Sequence, residues 1–369
     1  MKPILLFSPI LIFFPLFLYS STQETSSQTE ENIRWVNANV LLIEGQGVLI
    51  DDLESPYDRL PLKAKDIVRK EVWDLSKDSA GICIRFVTDS SLIKVKWTLR
   101  KNFYMKHMSP TGIKGVDLYC KTTDKWQWVG VGMPSGKTNE AVIVSGMKPK
   151  LREFMLYLPL YDGIESLYIG IDSNRDIGIP EKSKKKPILF YGTSITQGGC
   201  ATRPGMVYPA IIGRNLDYET INLGFSGNGR MDLEIAELIS ELDVECYVID
   251  TLPNMTPEQI DERVELFIKK IKSKKPDVPI LILESFMYET AFFDESKEKI
   301  INLKNEKLKK VYKNLIDIGI KKLYYLEGKD LIGNDHEATV DGVHLTDLGF
   351  FRIASAIENV LVKDIGLHK

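Results

Sequence analysis

Cysteine is scarce in this sequence, and so is any imbalance of charge. Four Cys in 369 residues, at positions 83, 120, 200 and 246, are too few for a disulfide-built scaffold, and their spacings match no metal site. An oxidising compartment would leave three pairings open. Cys246, inside an apolar strand candidate, points instead to mostly free thiols. Lys and Arg total 48 against 51 Asp and Glu, a net charge of -3 with no basic stripe, which excludes nucleic acid as the partner. The apolar run from Ile4 to Leu18 is shorter than the roughly 20 residues of a spanning helix and is broken by Pro9 and Pro15. Met1-Lys2 precedes it, the small residues Ser20 and Ser21 follow, and no Cys is there to carry a lipid. That order predicts a signal peptide over 1–20, export to the periplasm or beyond, and no stable membrane insertion after cleavage.

What is present is ordinary globular composition, 44% hydrophobic and 27% charged, in a chain long enough for two cores. Ser21 to Asn32 is polar and cannot bury enough surface to order itself, so 21–34 is expected to be a flexible linker. From Trp35 to about Asp172 the pattern is strand-like. Period-two alternation marks Gly81–Val87, Ile93–Leu99, Trp126–Val131 and Phe154–Leu158, with turn residues between them. One helix is expected near Lys63 to Leu75. Many strands and few helices predict a jelly-roll-type β-sandwich over 35–180. Two stretches there stand out: Gly115-Val116-Asp117-Leu118-Tyr119, whose acid on a strand must face solvent or meet a donor, and His107, read as a surface loop residue rather than a ligand. Asn174 to Lys186, with Pro180 and the run Glu181 to Lys186, read as a solvated boundary.

The pattern then changes to strand alternating with helix. Buried-strand candidates are Pro187–Tyr191, Glu219–Leu223, Val244–Asp250, Pro279–Glu284 and Lys322–Leu326. Helical patterns fall at Val207–Leu216, Leu233–Leu242, Thr256–Ser273, Glu298–Ile318 and Thr346–Val362. The third opens with an N-cap Thr, a Pro in its first turn and a Gln three residues on. This order predicts a doubly wound, three-layer domain with a parallel sheet over 187–369.

The carboxyl ends of parallel strands share one edge, where such sheets bind ligands. The first strand ends in Gly192-Thr193-Ser194. The second enters the Gly-rich loop Asn222 to Gly229, able to aim N–H groups at an anion. The third ends in Asp250-Thr251-Leu252-Pro253-Asn254, placing an amide at the rim. After the fifth comes Asp341-Gly342-Val343-His344, an acid spaced to hold the imidazole by its Nδ1–H and leave Nε2 free for a serine proton. Nucleophile, base, orienter and oxyanion donors are the requirements of acyl transfer.

In these four blocks the C-terminal half resembles the SGNH/GDSL hydrolase superfamily: Gly192-Thr193-Ser194-Ile195, Asn222-x-Gly224-x-Ser226-Gly227, Asn254, and Asp341-x-x-His344. It is most similar to the subfamily in which a β-sandwich named for the Gly-x-Asp-Leu-Tyr motif, here Gly115 to Tyr119, precedes the hydrolase domain. The resemblance implies a flavodoxin-like three-layer α/β/α fold and a serine esterase that needs no metal or organic cofactor. It makes Ser194 the nucleophile, His344 the base and Asp341 its orienter. The Ser194 and Gly227 N–H groups and the Asn254 side chain form the oxyanion hole. Thr193 replaces the usual Asp of Gly-Asp-Ser, and Leu252-Pro253-Asn254-Met255 replaces Gly-x-Asn-Asp. Both departures are expected to alter the pocket wall. Arg230, Arg203 and Tyr208 are candidate substrate contacts. A secreted esterase with a β-sandwich suggests a small acyl ester, typically O-acetyl on a glycan, as substrate. An acyltransferase using the same triad, and a glycan-binding protein with a degenerate hydrolase domain, are the alternatives.

Overall fold

The two grammars of the sequence become two kinds of sheet. The computed structural model describes residues 32–48, 52–123 and 125–368. The signal expected over 1–20 and most of the linker expected over 21–34 lie outside them. Ile33 and Arg34, assigned to that linker, instead begin a strand.

Ten strands fill the N-terminal part: β1 (Ile33–Asn37), β2 (Leu42–Glu44), β3 (Cys83–Thr88), β4 (Ile93–Leu99), β5 (Val116–Lys121), β6 (Trp126–Gly132), β7 (Thr138–Val144), β8 (Arg152–Tyr157), β9 (Ile164–Asp172) and β10 (Ile177–Gly178). They make two antiparallel sheets, ordered β1-β9-β4-β7 and β10-β3-β8-β5-β6, with β2 added to β3. Along β4 buried and half-buried residues alternate. Its Ile93, Val95, Trp97 and Leu99 meet Ile84, Phe86, Phe154 and Leu156 in one core, as two facing sheets require. The helix expected near 63–75 is shorter, a 3-10 turn at Leu62–Ala64 followed by α1 (Lys70–Ser76). A single-turn helix, α2 (Pro110–Lys114), leads into β5.

The C-terminal part holds β11 (Ile188–Gly192), β12 (Thr220–Gly224), β13 (Cys246–Asp250), β14 (Ile280–Leu283) and β15 (Leu323–Leu326). The sheet is parallel in the order β12-β11-β13-β14-β15, the flavodoxin-like winding. Its helices are α3 (Ser194–Gln197), α4 (Tyr208–Leu216), α5 (Leu233–Ser240), α6 (Pro257–Lys274), α7 (Glu295–Asp317) and α8 (Asp347–Lys363). Every residue of β11 is buried because both faces are covered. Ile188 and Phe190 join Ile211 of α4 and Ile353 of α8 in one core. Leu189 and Tyr191 join Ile235 of α5, Phe267 of α6 and Leu308 of α7 in the other.

The solvated boundary expected at 174–186 does not separate the two parts. β10 lies within it and pairs with β3. β8 has both faces buried: Phe154 and Leu156 face the sandwich core, whereas Met155 and Tyr157 belong to the core that contains Tyr208 and Ile211. Leu60, Val68, Val72 and Trp73, from the N-terminal part, pack into the far core of the parallel sheet. Residues from Ile33 onward form one compact unit. Buried Arg59 joins the parts through its Nη1, which donates to the carbonyls of Asn222 (3.1 Å) and Gly224 (2.7 Å), while its Nε donates to that of Asp78 (2.7 Å). All four cysteines are free thiols.

Candidate active site

Ser194 stands at the first position of α3, directly beyond the carboxyl end of β11. The chain can turn there because Gly192 lacks a Cβ; one added at that position would lie 1.9 Å from Thr196 Oγ1 and 2.6 Å from the Asp250 carbonyl oxygen. Thr193 caps the helix: its hydroxyl accepts from the Ile195 N–H at 3.2 Å, and its own N–H donates to Thr196 Oγ1 at 3.2 Å. The Ser194 carbonyl accepts from the N–H groups of Gly198 (2.9 Å) and Gly199 (2.7 Å) and from the Tyr161 hydroxyl (3.2 Å).

The other blocks arrive at the same rim. His344 Nε2 lies 2.8 Å from Ser194 Oγ, and its Nδ1 lies 2.7 Å from Asp341 Oδ2. Asp341 Oδ1 accepts from the backbone N–H groups of His344 (2.8 Å) and Val343 (3.1 Å), which fixes the carboxylate independently of the ring. Burial pushes the Asp341 carboxyl up, but the hydrogen bonds from the His344 ring and the two backbone N–H groups, with the charge of the His344 ring, outweigh it and hold it below the ordinary carboxylate value. With the carboxylate on Nδ1–H, the hydrogen-bond network leaves Nε2 as the acceptor facing the Ser194 hydroxyl. The loop is pinned at its base: Val340 N–H donates to the His344 carbonyl at 2.8 Å, Thr346 N–H donates to that of Ala338 at 2.9 Å, and Thr339 and Leu345 form a bridge.

Asn254 and Gly227 are brought against each other. With its amide oxygen turned toward donors, Asn254 accepts from the N–H groups of Gly227 (3.2 Å), Asn228 (3.0 Å) and Gly229 (3.3 Å), and its NH2 group faces acceptors. The Gly-rich loop is itself held from the N-terminal part: Arg69 donates from Nη1 to Asn228 Oδ1 (2.7 Å) and from Nη2 to the Asn228 carbonyl (2.9 Å). Asn222 takes no part at the rim. It is buried, donating to the Thr196 carbonyl at 2.7 Å and accepting from the Gly224 N–H at 2.9 Å, so it clamps β12 to α3.

Two expected substrate contacts are placed elsewhere. Arg203 donates to Asp117 Oδ2 at 2.8 Å and to the Tyr119 hydroxyl, while Asp117 also accepts from the Gly205 N–H (2.9 Å) and from Trp128 Nε1 (2.9 Å). The acid of the Gly-x-Asp-Leu-Tyr motif therefore meets donors, and Arg203 is spent on joining the two parts. Tyr208 has no exposed surface, and its hydroxyl bonds Thr196 Oγ1 (2.9 Å) and Asp250 Oδ2 (3.2 Å). Arg230 remains half-exposed, its Nε donating to the Gly227 carbonyl at 2.9 Å. Of the departures expected to alter the pocket wall, Thr193, Leu252 and Met255 are buried, Thr193 serving as a helix cap, and Pro253 is half-buried.

Sequence did not place the other neighbours beside the triad. Gln197 is buried and links the parts, donating to the Leu160 carbonyl (3.0 Å) and accepting from the Ser226 N–H (3.0 Å). A Cβ on Gly199 would lie 2.9 Å from His344 Cδ2, so this glycine is the seat of the imidazole. His107, expected on the surface, is exposed, but its ring centroid lies 5.6 Å from that of His344. Cys200 is beside it, its thiol donating to the His107 carbonyl at 3.3 Å. Burial and then the Asp341 charge push that thiol up to about 12, so it stays protonated at neutral pH.

Comparison with known proteins gives the family. The GDSL-like lipase/acylhydrolase family matches residues 185–362, and the N-terminal GxDLY region of SGNH hydrolase-type esterases matches residues 33–177. A GDSL-like lipase from Bacteroides ovatus is 37% identical, superposes with a TM-score of 0.87, and the match covers 90% of this chain and 98% of that one. The chain belongs to the GDSL-like lipase/acylhydrolase family, in the group with the GxDLY N-terminus, and is an ester hydrolase by that membership. Two more distant structures share the fold. The salicylyl-acyltransferase SsfX3 from a tetracycline biosynthetic pathway is 18% identical, with a TM-score of 0.75 and coverage of 91% of this chain and 99% of that one. A family two carbohydrate esterase from Clostridium thermocellum, in complex with cellohexaose, is 14% identical, with a TM-score of 0.56 and coverage of 78% and 94%. No curated protein matches the chain.

Proposed function

We propose that this protein is an exported serine esterase that removes small acyl groups, O-acetyl above all, from carbohydrates. The observation that carries the reading is the unbroken chain from Ser194 Oγ through His344 to Asp341, at 2.8 and 2.7 Å. Ser194 attacks the ester carbonyl as His344 Nε2 takes its proton, and Asp341 steadies the imidazolium. The Ser194 N–H lies in the first turn of α3, where no intrahelical carbonyl can take it, and is one oxyanion donor. The Asn254 NH2 group is the second. The Gly227 N–H is the third expected donor, and in this structure it donates to the Asn254 oxygen 3.2 Å away. The alcohol leaves with the His344 proton, and water repeats the attack on the acyl-enzyme. Each donor contributes roughly 3 kcal/mol to the transition state.

The carbohydrate part of the reading draws on the likeness to glycan esterases and on a neighbouring cleft of about 860 Å³ lined by Glu284, Tyr288, Glu289, Phe292 and His336. Its loop is tied to the triad through the Glu289 N–H, which donates to the Gly342 carbonyl at 3.1 Å. An exposed aromatic among carboxylates suits the apolar face and hydroxyls of a sugar.

Acetate release from p-nitrophenyl acetate and from a panel of acetylated oligosaccharides tests the proposal. Ser194→Ala and His344→Ala should each lose activity by a factor on the order of 10⁴ or more. Unchanged turnover in either variant rejects the assigned roles. Release from the phenyl ester but from no glycan removes the carbohydrate part, and acyl transfer to an added alcohol in preference to water makes the enzyme a transferase.

A further inference from the structure

Three segments that carry no metal motif in sequence meet beside the proposed base. His107 comes from the loop before α2, Cys200 from the turn after α3, and Asp341 with His344 from the loop before α8. One ligand atom from each of these four side chains lies within 4.8 Å of the others. We propose that His107, Cys200, Asp341 and His344 form an inhibitory site for a divalent cation of borderline softness, with Zn²⁺ as its reference ligand.

The donor set selects the ion. Thiolate and imidazole favour Zn²⁺ and its neighbours in softness, whereas Mg²⁺ and Ca²⁺ require a shell of oxygens that one carboxylate does not supply. Zn–S near 2.3 Å and Zn–N near 2.0 Å place tetrahedral ligands about 3.5 Å apart, so the four groups must close by about 1 Å. The closing motion belongs to His107, which is exposed, while Cys200 is buried and fixed. The thiol already lies beside the His107 segment, donating to its carbonyl 3.3 Å away. Cys200 also holds a φ of +71°, a left-handed backbone that a third glycine after Gly198 and Gly199 would adopt without strain. A side chain kept at such a position is one whose direction is set by the turn.

Binding needs no oxidant or reductant. The Sγ–H proton passes to solvent as the metal–sulfur bond forms, and no other covalent bond breaks. The cost falls on the triad. Coordination through His344 Nε2 removes the acceptor of the Ser194 proton, and coordination through Nδ1 or Asp341 breaks the 2.7 Å contact that orients the ring. The inhibitory consequence rests on the serine-esterase reading, whereas the site itself does not.

The full chain, freed of metal by a chelator, is titrated with Co²⁺ and with Zn²⁺. Co²⁺ should produce a thiolate charge-transfer absorption that Zn²⁺ abolishes and that is missing in Cys200→Ser. Zn²⁺ should inhibit turnover of p-nitrophenyl acetate, reversibly with EDTA. Cys200→Ser and His107→Ala should keep the basal rate and raise the half-inhibitory Zn²⁺ concentration at least about tenfold. Absence of the absorption in the wild type, or its persistence in Cys200→Ser, overturns the site. Equal Zn²⁺ sensitivity in the wild type and both variants overturns the inhibition. A protein that shows the absorption but no esterase activity refutes the esterase reading and leaves the metal site standing.

Discussion

Asp341 accepts three hydrogen bonds, two from backbone N–H groups and one from the His344 ring, so its geometry should survive loss of its charge. Asp341→Asn is therefore expected to lower kcat, by a factor on the order of 10⁴ in the limit where the wrong tautomer of His344 is stabilised, while KM moves little. A fall in KM-dependent binding with unchanged kcat would mean that the residue holds substrate instead. Gly199→Ala tests the seat of the imidazole. The new methyl meets His344 Cδ2 at 2.9 Å, and kcat should fall well beyond any loss of stability. Asp250 is a buried acid behind the same turn. Burial raises it from 3.8 to about 6, against the hydrogen bonds from Tyr208 and Thr196 that lower it. Between those values the folded chain binds the proton more tightly than the unfolded one. Its stability contribution is thus full below pH 3.8 and is lost as pH rises through about 6, a difference of ~3 kcal/mol. Asp250→Asn should raise the urea midpoint at pH 7.5 and leave it nearly unchanged at pH 4; an equal gain at both would show that the carboxyl is not the titrating group.

Among the elements, the strands and helices of the parallel sheet were legible because both of their periods are strong. β11 reads as a continuous apolar run because it is buried on two faces, and α6 announces itself through Thr256 and Gln259, which form the capping box in the structure, with Pro257 in the first turn. The region of α1 was less legible: Leu60, Val68, Val72 and Trp73 are apolar, but they cover a sheet far along the chain, and sequence does not name the partner of an apolar face. The four blocks of the site could be read because each follows a strand whose carboxyl end must share an edge with the others. The roles of Arg203 and Tyr208 could not, since both lie near the site along the chain while their side chains turn inward to Asp117 and Asp250. Asp117 is the clearest case of a motif with a structural cause. It is fully buried and paired with Arg203 across the two parts, so Arg203→Met should cost about 3 kcal/mol by leaving an uncompensated buried carboxylate. Stability within 0.5 kcal/mol of wild type, roughly what a surface change costs, would show that the pair is dispensable.

For the molecule as a whole, the sandwich is more than a neighbour of the catalytic layer. Met155 and Tyr157 of β8 complete one core of the parallel sheet, Val72 and Trp73 of α1 complete the other, and Arg59 ties backbone carbonyls of both parts. Residues 187–369 expressed alone should expose these faces and fail to give a monodisperse folded monomer by size exclusion and circular dichroism, whereas 33–369 should unfold in one transition. A stable, active 187–369 fragment would contradict the shared cores. The boundary at 174–186 suggested otherwise because polar composition marks solvent exposure, and exposure is compatible with a chain that never leaves the surface of a single unit.

The central claim is that the hydroxyl of Ser194 becomes acylated with His344 as its base, and the most direct measurement is active-site labelling followed by peptide mass analysis. A fluorophosphonate should add once to wild-type protein, on the peptide carrying Ser194, and should fail to label Ser194→Ala; His344→Ala should react far more slowly. Labelling of a different residue, or equal labelling of wild type and Ser194→Ala, would contradict it.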